Sequence, residues 1–288
     1  AEIRDGKIFA RGAIDDKGPT MAAYYAMKIV KELGLPLNKR VRMIIGTDEE
    51  SEWRCVDHYF EHEEMPAMGF APDADFPIIY AEKGIADYDL VSKAAGIEKE
   101  DFDAEVIEFS AGRRYNMVPD FAKVELVVQQ GQTDVVQRFE EFKRNNELDG
   151  RAVVESGKLI LELEGVSAHG MEPDNGKNAG LLMASFLSEI NLDGSSEKFF
   201  QFVAKYLGKD SRGRELGVAY ADDITGDLTI NVGKLSYSKA KGGRAGLNMR
   251  YPVTTDLEKT KGILNQVLEA EGLIIENFSN SNPHHVDE

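Results

Sequence analysis

The sequence predicts an α/β protein in two parts: part of a mixed, mainly parallel sheet with helices, and a second, α+β domain with an antiparallel sheet. Two patterns lead to this prediction. Over residues 1–82, short apolar runs alternate with helix-forming runs, which is typical of a largely parallel sheet. From about Lys83 the strands become longer, alternate apolar with polar residues, and have fewer helices between them.

The first part is predicted to contain two helices between its strands. Residues 20–31 are Ala-rich and precede Gly34, which is a helix-stop signal. A second helix follows over about residues 51–64. His58 and His62 lie four residues apart on it, but the H-E-x-x-H arrangement is missing, and acidic neighbours favour a solvated face.

Three acidic clusters follow the predicted strands of the first part. The strand KIFA leads into ARGAIDDKGP around Asp15, the apolar run 41–46 leads into Glu49 and Glu50, and MGFA leads into Asp73. We expect residues 41–46 to form a buried strand. Because open α/β sheets bind ligands at the carboxyl ends of their strands, these carboxylates are expected to come together.

The second part contains a clear hairpin signal and further alternating runs. In RAVVESGKLILELEG, the Ser156-Gly157 pair separates two alternating runs, which indicates a hairpin. Other patterns predict strands at 85–91, 102–109, 116–128, 228–237 and 245–253, and helices at 134–148, 178–190, 196–207 and 256–270. We divide the chain into three segments: residues 1–82 form the first part, residues 83–278 the second domain, and residues 279–288 begin a return to the first part.

Composition excludes several classes of protein. The net charge of −17, from 51 acidic and 34 basic residues, argues against nucleic-acid partners, whose binding depends on Lys and Arg neutralising phosphates. No apolar run approaches the roughly 18 residues of a membrane helix, so no membrane partner is expected. The single cysteine, Cys55, allows no intrachain disulfide, and we therefore expect a cytoplasmic protein.

Carboxylates at three strand ends are suited to holding divalent cations. Of the neighbouring Glu49 and Glu50, one could bind metal while the other accepts a proton from water. The alternative is that these are solvated loop residues in an acidic chain. A phosphate-loop nucleotidase is excluded, because G-x-x-x-x-G-K-[ST] does not occur in the sequence.

The clusters ARGAIDDKGP, GTDEES and PDADFP, in this order, resemble the dinuclear zinc metallopeptidases that include aminoacylases and peptidase V-type, carnosinase-like dipeptidases. RRYNMVPD, GVSAHGMEPDNGKNA and LNMRYP continue the resemblance over nearly the whole chain. It implies that Asp15 bridges two metal ions, Glu50 binds one, Asp73 binds the other, and Glu49 is the general base. Asp16 either sets the turn or is a solvated turn residue.

The resemblance also implies that the second domain is a lid carrying substrate-binding groups. His169 would donate to the carbonyl oxygen of the substrate, Asn116 would contact the substrate, and Arg250 would bind its terminal carboxylate. Without the resemblance, His169 would be a loop histidine and Asn116 a turn residue. An internal salt bridge is the alternative for Arg250, since a charge in an apolar strand needs a partner.

Two expected motifs are missing from the sequence. Such enzymes supply one metal-binding histidine from H-x-D before the Asp15 turn and another from a Gly-rich segment near the carboxyl terminus, and neither is present. His284 and His285 lack that context. We therefore expect an interior fragment that is inactive alone and binds metal weakly, because catalytic zinc sites usually have three protein ligands.

The predicted function is metal-dependent hydrolysis of dipeptides. The expected cofactors are two divalent ions, zinc or manganese, and the expected partner is a short peptide with a free carboxylate. Two alternatives stay open. An N-acyl amino acid deacylase would use the same metals with a different acyl pocket, and a non-enzymatic binding module would not depend on Glu49.

Overall fold

The computed structural model describes residues 1–49, 53–74, 77–92 and 99–286. Within these residues the chain forms two compact units, Ala1–Ile79 and Tyr80–Glu288. The mixed α/β class is confirmed, with helices in both units and a large sheet in the second. No helix within the described ranges is long and apolar enough to cross a membrane.

The first unit contains a hairpin and two helices. Strands β1 (Glu2–Arg4) and β2 (Lys7–Phe9) pair antiparallel, and a π-helical turn at Ala13–Lys17 follows them. Helix α1 is Gly18–Glu32, with Pro19 in its first turn, where a missing amide hydrogen costs no helical hydrogen bond. Helix α2 is Arg54–His62. Both helices were predicted, and their bounds differ by a few residues.

The predicted strands at 41–46 and 68–71 lack ladder partners in the described part of the chain. Residues 41–46 are also not the buried strand that their apolar run predicted, since Val41 and Ile45 are exposed. A strand is stabilised by hydrogen bonds to a neighbouring strand, so an apolar run without such a neighbour is not stabilised as a strand. The mixed class is correct, but these segments do not form parallel pairs among the described residues.

The second unit is built on an eight-stranded antiparallel sheet. Its spatial order is β13-β4-β12-β11-β5-β6-β8-β7. The strands are β4 (Gly84–Ser92), β5 (Ala104–Ala111), β6 (Phe121–Val128), β7 (Gly150–Glu155), β8 (Lys158–Glu164), β11 (Thr229–Ser238), β12 (Gly242–Tyr251) and β13 (Leu273–Ser281). Short pairs join β3 (Ala81–Glu82) to β14 (His284–His285) and β9 (Ala221–Asp222) to β10 (Gly226–Asp227).

Four helices complete the second unit: α3 (Gln132–Asn146), α4 (Ala179–Ser188), α5 (Gly194–Tyr206) and α6 (Leu257–Glu271). The side chains of Asn178, Asp193 and Asp256 accept amide hydrogen bonds at the starts of α4, α5 and α6. Helices α4 and α5 contact each other and the sheet, and together they enclose an aromatic core in which Phe109 and Phe200 meet edge to face.

The predicted hairpin between β7 and β8 is confirmed. Ser156 and Gly157 both have positive φ angles, 51° and 80°, which is the backbone of a two-residue turn matched to strand twist. The pairing continues from Glu155 opposite Lys158 to Gly150 opposite Leu163. Strand β13 was not predicted from the sequence, and it forms one edge of the sheet beside β4.

Candidate functional site

The first unit presents Asp15 on a sharply turned segment. Gly12 precedes this segment with φ 69°, a conformation that glycine adopts without steric cost. The Asp15–Asp16 peptide is cis, and the Asp15 side chain is exposed. Its carboxylate forms no hydrogen bond or ion pair within the described residues. A ligand of Asp15 would therefore not have to displace a partner among the residues that the structure describes.

Unlike Asp15, Asp16 accepts a side-chain hydrogen bond from a neighbouring residue. Its Oδ1 accepts a hydrogen bond of 2.6 Å from the Thr20 hydroxyl, one turn into α1. The Lys17 ammonium donates to the Arg11 carbonyl over 2.8 Å, which closes the other side of the turn. Of the two interpretations left open by the sequence, the structure supports the one in which Asp16 sets the turn.

Glu49 and Asp73 are both exposed, and Glu50 lies outside the described residues. Next to Glu49, Asp48 accepts hydrogen bonds from the amides of Cys55 (3.0 Å) and Arg54 (3.1 Å) at the start of α2. Hydrogen bonds from the side chain and the amide of Cys55 hold the pKa of Asp48 below its usual value. Asp48 therefore fixes the segment that carries Glu49.

The structure does not gather the described acidic residues into one cluster. In the ranges it covers, Asp15, Glu49 and Asp73 do not belong to any group of three ligand atoms lying within 4.8 Å of one another. The predicted convergence depended on neighbouring strand ends, and the segments before Glu49 and Asp73 lack strand partners in these ranges. The ligand set Asp15, Glu50 and Asp73 therefore stays a prediction.

The second unit brings His169 and Asn116 together. The Gly170 amide donates to the Asn116 carbonyl over 2.7 Å, and Met117 and His169 form an isolated antiparallel bridge. A Cβ atom at position 170 would lie 3.0 Å from the backbone of Asn116, which is tighter than an ordinary contact, so this close approach favours glycine. Asn116 itself is exposed.

The His169 ring has a defined orientation and charge state. Its Nδ1 accepts a hydrogen bond of 3.2 Å from the Met171 amide, which leaves the proton of the neutral ring on Nε2. Partial burial, with a further contribution from the Arg250 charge, lowers the pKa of His169 from its ordinary value of 6.5. The ring is therefore a neutral Nε2–H donor at neutral pH.

Arg250 lies half-buried on β12, between Thr229 of β11 and Ile85 of β4. Its Nε donates to Asn248 Oδ1 over 3.3 Å, and Asn248 donates to Asp87 over 2.6 Å. No carboxylate of the described chain lies within the 4.0 Å of an ion pair with Arg250. The internal salt bridge that was the alternative for this residue is thus not formed with any carboxylate in the described ranges.

The pKa values of Arg250 and Asp87 show that burial is only partly compensated at either group. Burial lowers the pKa of Arg250, and the charge of Asp87 opposes this effect only in part. Burial also raises the pKa of Asp87, against the hydrogen bond from Asn248 and the charge of Arg250. A half-buried guanidinium that is linked to Asp87 through Asn248, with no ion pair to a described carboxylate, can still bind an anionic ligand directly.

Asn231, which the sequence analysis did not identify, positions the Asn116 segment. It lies fully buried on β11, and its Nδ2 donates to the carbonyls of Tyr115 (2.6 Å) and Met117 (3.0 Å), on either side of Asn116. The Tyr115 hydroxyl donates to Asp89 over 3.0 Å. The available signal was a lone amide among the apolar residues of LTINVG.

Arg212, which was also missed, holds the loop that follows His169. Its Nη2 lies 2.6 Å from Glu172 Oε1 and 3.5 Å from Asp174 Oδ2, and its Nε lies 3.8 Å from Asp227 Oδ2. The Arg212 side chain is only 17% exposed. Because its two loop partners lie about forty residues earlier, no local pattern marks this arginine.

The sequence matches the model of one protein family, described as "Peptidase family M20/M25/M40", over residues 1–276. "Putative dipeptidase YtjP" of Bacillus subtilis (strain 168) is 50% identical over 286 residues, covering 99% of this chain and 61% of YtjP. A "Putative dipeptidase" of Staphylococcus epidermidis (strain ATCC 12228 / FDA PCI 1200) is 47% identical over 285 residues, with the same coverage. The chain thus spans about 61% of the length of these curated relatives.

Among solved structures, an aminoacylhistidine dipeptidase from Vibrio alginolyticus matches 75% of this chain and 48% of its own. The TM-score is 0.33 at 13% sequence identity, which is too low to support an inference about fold or substrate.

Proposed function

Because the chain belongs to peptidase family M20/M25/M40, we propose that the protein hydrolyses dipeptides with a free carboxyl terminus at a centre of two divalent metal ions. The names of the relatives from Bacillus subtilis and Staphylococcus epidermidis favour a dipeptide substrate. The observation that carries the proposal is the half-buried guanidinium of Arg250, which forms no ion pair in the described chain and lies close enough to His169 to affect its pKa.

Arg250 would bind the terminal carboxylate of the substrate. Its burial strengthens an interaction with an anion, because little water competes there, and guanidinium matches a carboxylate with two parallel hydrogen bonds. The hydrogen bond from Nε to Asn248 orients the guanidinium, and its two terminal nitrogens, which have no hydrogen-bond partner among the described residues, would bind the ligand. A fixed carboxylate site limits the substrate to short peptides.

His169 would stabilise the carbonyl oxygen as negative charge develops on it. The Met171 amide holds Nδ1, so that Nε2–H is the donor, and the lowered pKa keeps this donor neutral. A donor aimed at developing charge contributes about 3–4 kcal/mol to barrier lowering in comparable sites. Asn116, joined to the His169 loop through the Gly170 amide, would contact the substrate beside it.

Asp15, Glu50 and Asp73 would hold the metal ions, with Asp15 between them. The donor chemistry fits, because carboxylates accept zinc or manganese and Asp15 has no partner among the described residues. When bound, two divalent ions would lower the pKa of the attacking water and polarise the peptide carbonyl. Glu49 would accept a proton from that water and pass it to the leaving amine.

Residues 1–82 would then be part of the catalytic domain of a cytoplasmic enzyme, residues 83–278 its lid, and residues 279–288 the start of a return to the catalytic domain. The sequence contains no H-x-D segment before Asp15 to complete the ligand set. We therefore expect this chain alone to bind metal weakly and to hydrolyse dipeptides slowly or not at all.

The proposal is tested by assaying dipeptides, dipeptide amides and N-acetyl amino acids with a chain extended to the length of its relatives. We expect hydrolysis of free dipeptides, strong discrimination against dipeptide amides, and dependence on added zinc or manganese. Preference for N-acetyl amino acids would instead identify a deacylase. Arg250 could bind the free carboxylate of an N-acetyl amino acid equally well. If none of these substrates is hydrolysed, the proposal is wrong.

A further inference from the structure

The exposed face of α2 carries two histidines and a glutamate in one cluster. His58, Glu61 and His62 each offer a ligand atom, and these atoms lie within 4.8 Å of one another. Residues three and four apart lie on the same face of a helix, which explains the arrangement. The two imidazole centroids are 4.6 Å apart, and Glu61 Oε2 is 3.7 Å from His58 Nδ1.

The His62 ring is oriented in the way that metal-binding histidines commonly are. Its Nδ1 lies 2.9 Å from the His58 carbonyl oxygen, which can only accept a hydrogen bond, so Nδ1 carries the proton. The lone pair of the neutral ring is then on Nε2. Metal-binding histidines usually donate their other N–H to a carboxylate or a backbone carbonyl, which fixes the tautomer in this way.

Contacts at both ends hold the backbone of this helix. Asp48 accepts the amides of Arg54 and Cys55 at the start of α2, and the Glu63 amide donates to the Tyr59 carbonyl over 2.9 Å at its end. The Arg42 guanidinium lies 5.5 Å from the Tyr59 ring centroid. The face of α2 that carries His58, Glu61 and His62 is exposed, and the contacts at the two ends of the helix hold its backbone in place.

We infer that His58, Glu61 and His62 form a binding site for a divalent transition metal of the zinc type, separate from the carboxylate centre proposed above. Two imidazoles and one carboxylate are a common ligand set for zinc. Ligand atoms at about 2.1 Å from one tetrahedral ion lie about 3.4 Å apart, so small side-chain rotations suffice. H-x-x-E-H, the spacing of these residues, also occurs in zinc enzymes, where the two histidines bind the metal.

The nitrogen ligands determine which cations this site accepts. Imidazole favours zinc, copper and nickel, whereas calcium and magnesium prefer sites made only of oxygen. The proposed Asp15 centre offers carboxylates and is therefore less selective. All three residues of the α2 site are exposed, so a metal ion can reach them from solvent.

The experiment is a zinc titration of this chain followed by NMR of the histidine ring protons. The sequence has five histidines, so the ring signals can be assigned by single substitutions. We expect the His58 and His62 signals to shift or broaden together, and we expect His62→Gln to weaken the zinc affinity measured at the His58 signal at least about tenfold. His58→Gln should give the same loss at the His62 signal. His284→Gln is the matched control, since it removes one exposed imidazole elsewhere.

A second arm separates this site from the proposed catalytic centre. Asp15→Ala removes the predicted bridging carboxylate and should leave the zinc response of His58 and His62 unchanged. If zinc does not move these two signals, or if His62→Gln leaves the zinc affinity of His58 unchanged, the α2 site does not exist. Neither result bears on dipeptide hydrolysis, which is assayed independently.

Discussion

The amide of Met171 donates a hydrogen bond to Nδ1 of His169 over 3.2 Å. This contact between residues two apart fixes which ring nitrogen of His169 carries the proton. The donor Nε2–H then has no partner among the described residues. In the proposed reaction it would face the carbonyl oxygen of the substrate.

The first prediction concerns the pKa of His169. Partial burial and the Arg250 charge both disfavour the imidazolium, so the pKa measured by NMR titration should be below 6.5. The associated stability is fully present above about pH 6.5 and is lost as the pH falls through the lowered pKa. Arg250→Met should raise the pKa toward its ordinary value.

Arg151→Met is the control for that titration, because Arg151 lies on β7, five strands from β12 in the sheet. It should leave the pKa of His169 unchanged. A His169 pKa at or above 6.5 in the unsubstituted chain would contradict the assigned charge state, and so would a pKa that Arg250→Met does not move.

The second prediction concerns recognition of the substrate carboxylate. Arg250→Met should lower kcat/KM for free dipeptides about 10- to 100-fold, the equivalent of a charged hydrogen bond of about 1.5–3 kcal/mol. Arg250→Lys keeps the charge but loses the paired geometry, and should recover only part of the loss. Dipeptide amides serve as the control substrate, since they carry no carboxylate. An equal loss for amides and free dipeptides would remove Arg250 from carboxylate binding.

The third prediction concerns Arg212 and the loop after His169. Arg212→Met leaves Glu172 and Asp174 without their cation, and we expect it to reduce the free energy of unfolding by about 1–2 kcal/mol, less than for a fully buried pair because Glu172 is 40% exposed. Hydrogen exchange of the Gly170 amide should become faster. Arg214→Met is the control, because the Arg214 side chain is 68% exposed. Unchanged exchange at Gly170 would show that Arg212 does not hold this loop.

The fourth prediction concerns Asn231. Asn231→Ala removes the donor shared by the Tyr115 and Met117 carbonyls, and should cost about 1–3 kcal/mol of unfolding free energy because buried acceptors are left unsatisfied. Chemical denaturation measures this cost. Asn146→Ala is the matched control, since it also removes an amide donor to a carbonyl, but an exposed one. Equal stability of the two variants would show that Asn231 is not a structural anchor.

How much the sequence could predict differs between the two units. In the second unit, polar and apolar residues alternate along strands that are half-buried, so the Ser156-Gly157 hairpin and most of the strands were predicted to within about three residues. Strand β6 begins later than predicted, at Phe121, and β13 was not predicted. In the first unit, residues 41–46 were predicted from an apolar run alone. Such a run does not say whether a neighbouring strand is available, and no such neighbour occurs among the described residues.

The candidate site shows the same contrast. His169, Asn116 and Arg250 were identified because they lie in family motifs, and the structure adds why each is held as it is. Arg212 could not be identified, because its contact with Glu172 joins segments forty residues apart. A salt bridge between two loops leaves no periodic pattern in the sequence, so only the folded chain reveals it.

The most direct test of the central claim is the rate of dipeptide hydrolysis by a chain extended to the length of its relatives, with and without Glu49→Gln. The substitution preserves the shape of the side chain and removes the base, so we predict a kcat about 10²- to 10⁴-fold lower with dipeptide affinity retained. Glu147→Gln, at an exposed residue of the second unit, is the control. A Glu49→Gln enzyme that hydrolyses dipeptides at the unsubstituted rate would contradict the account.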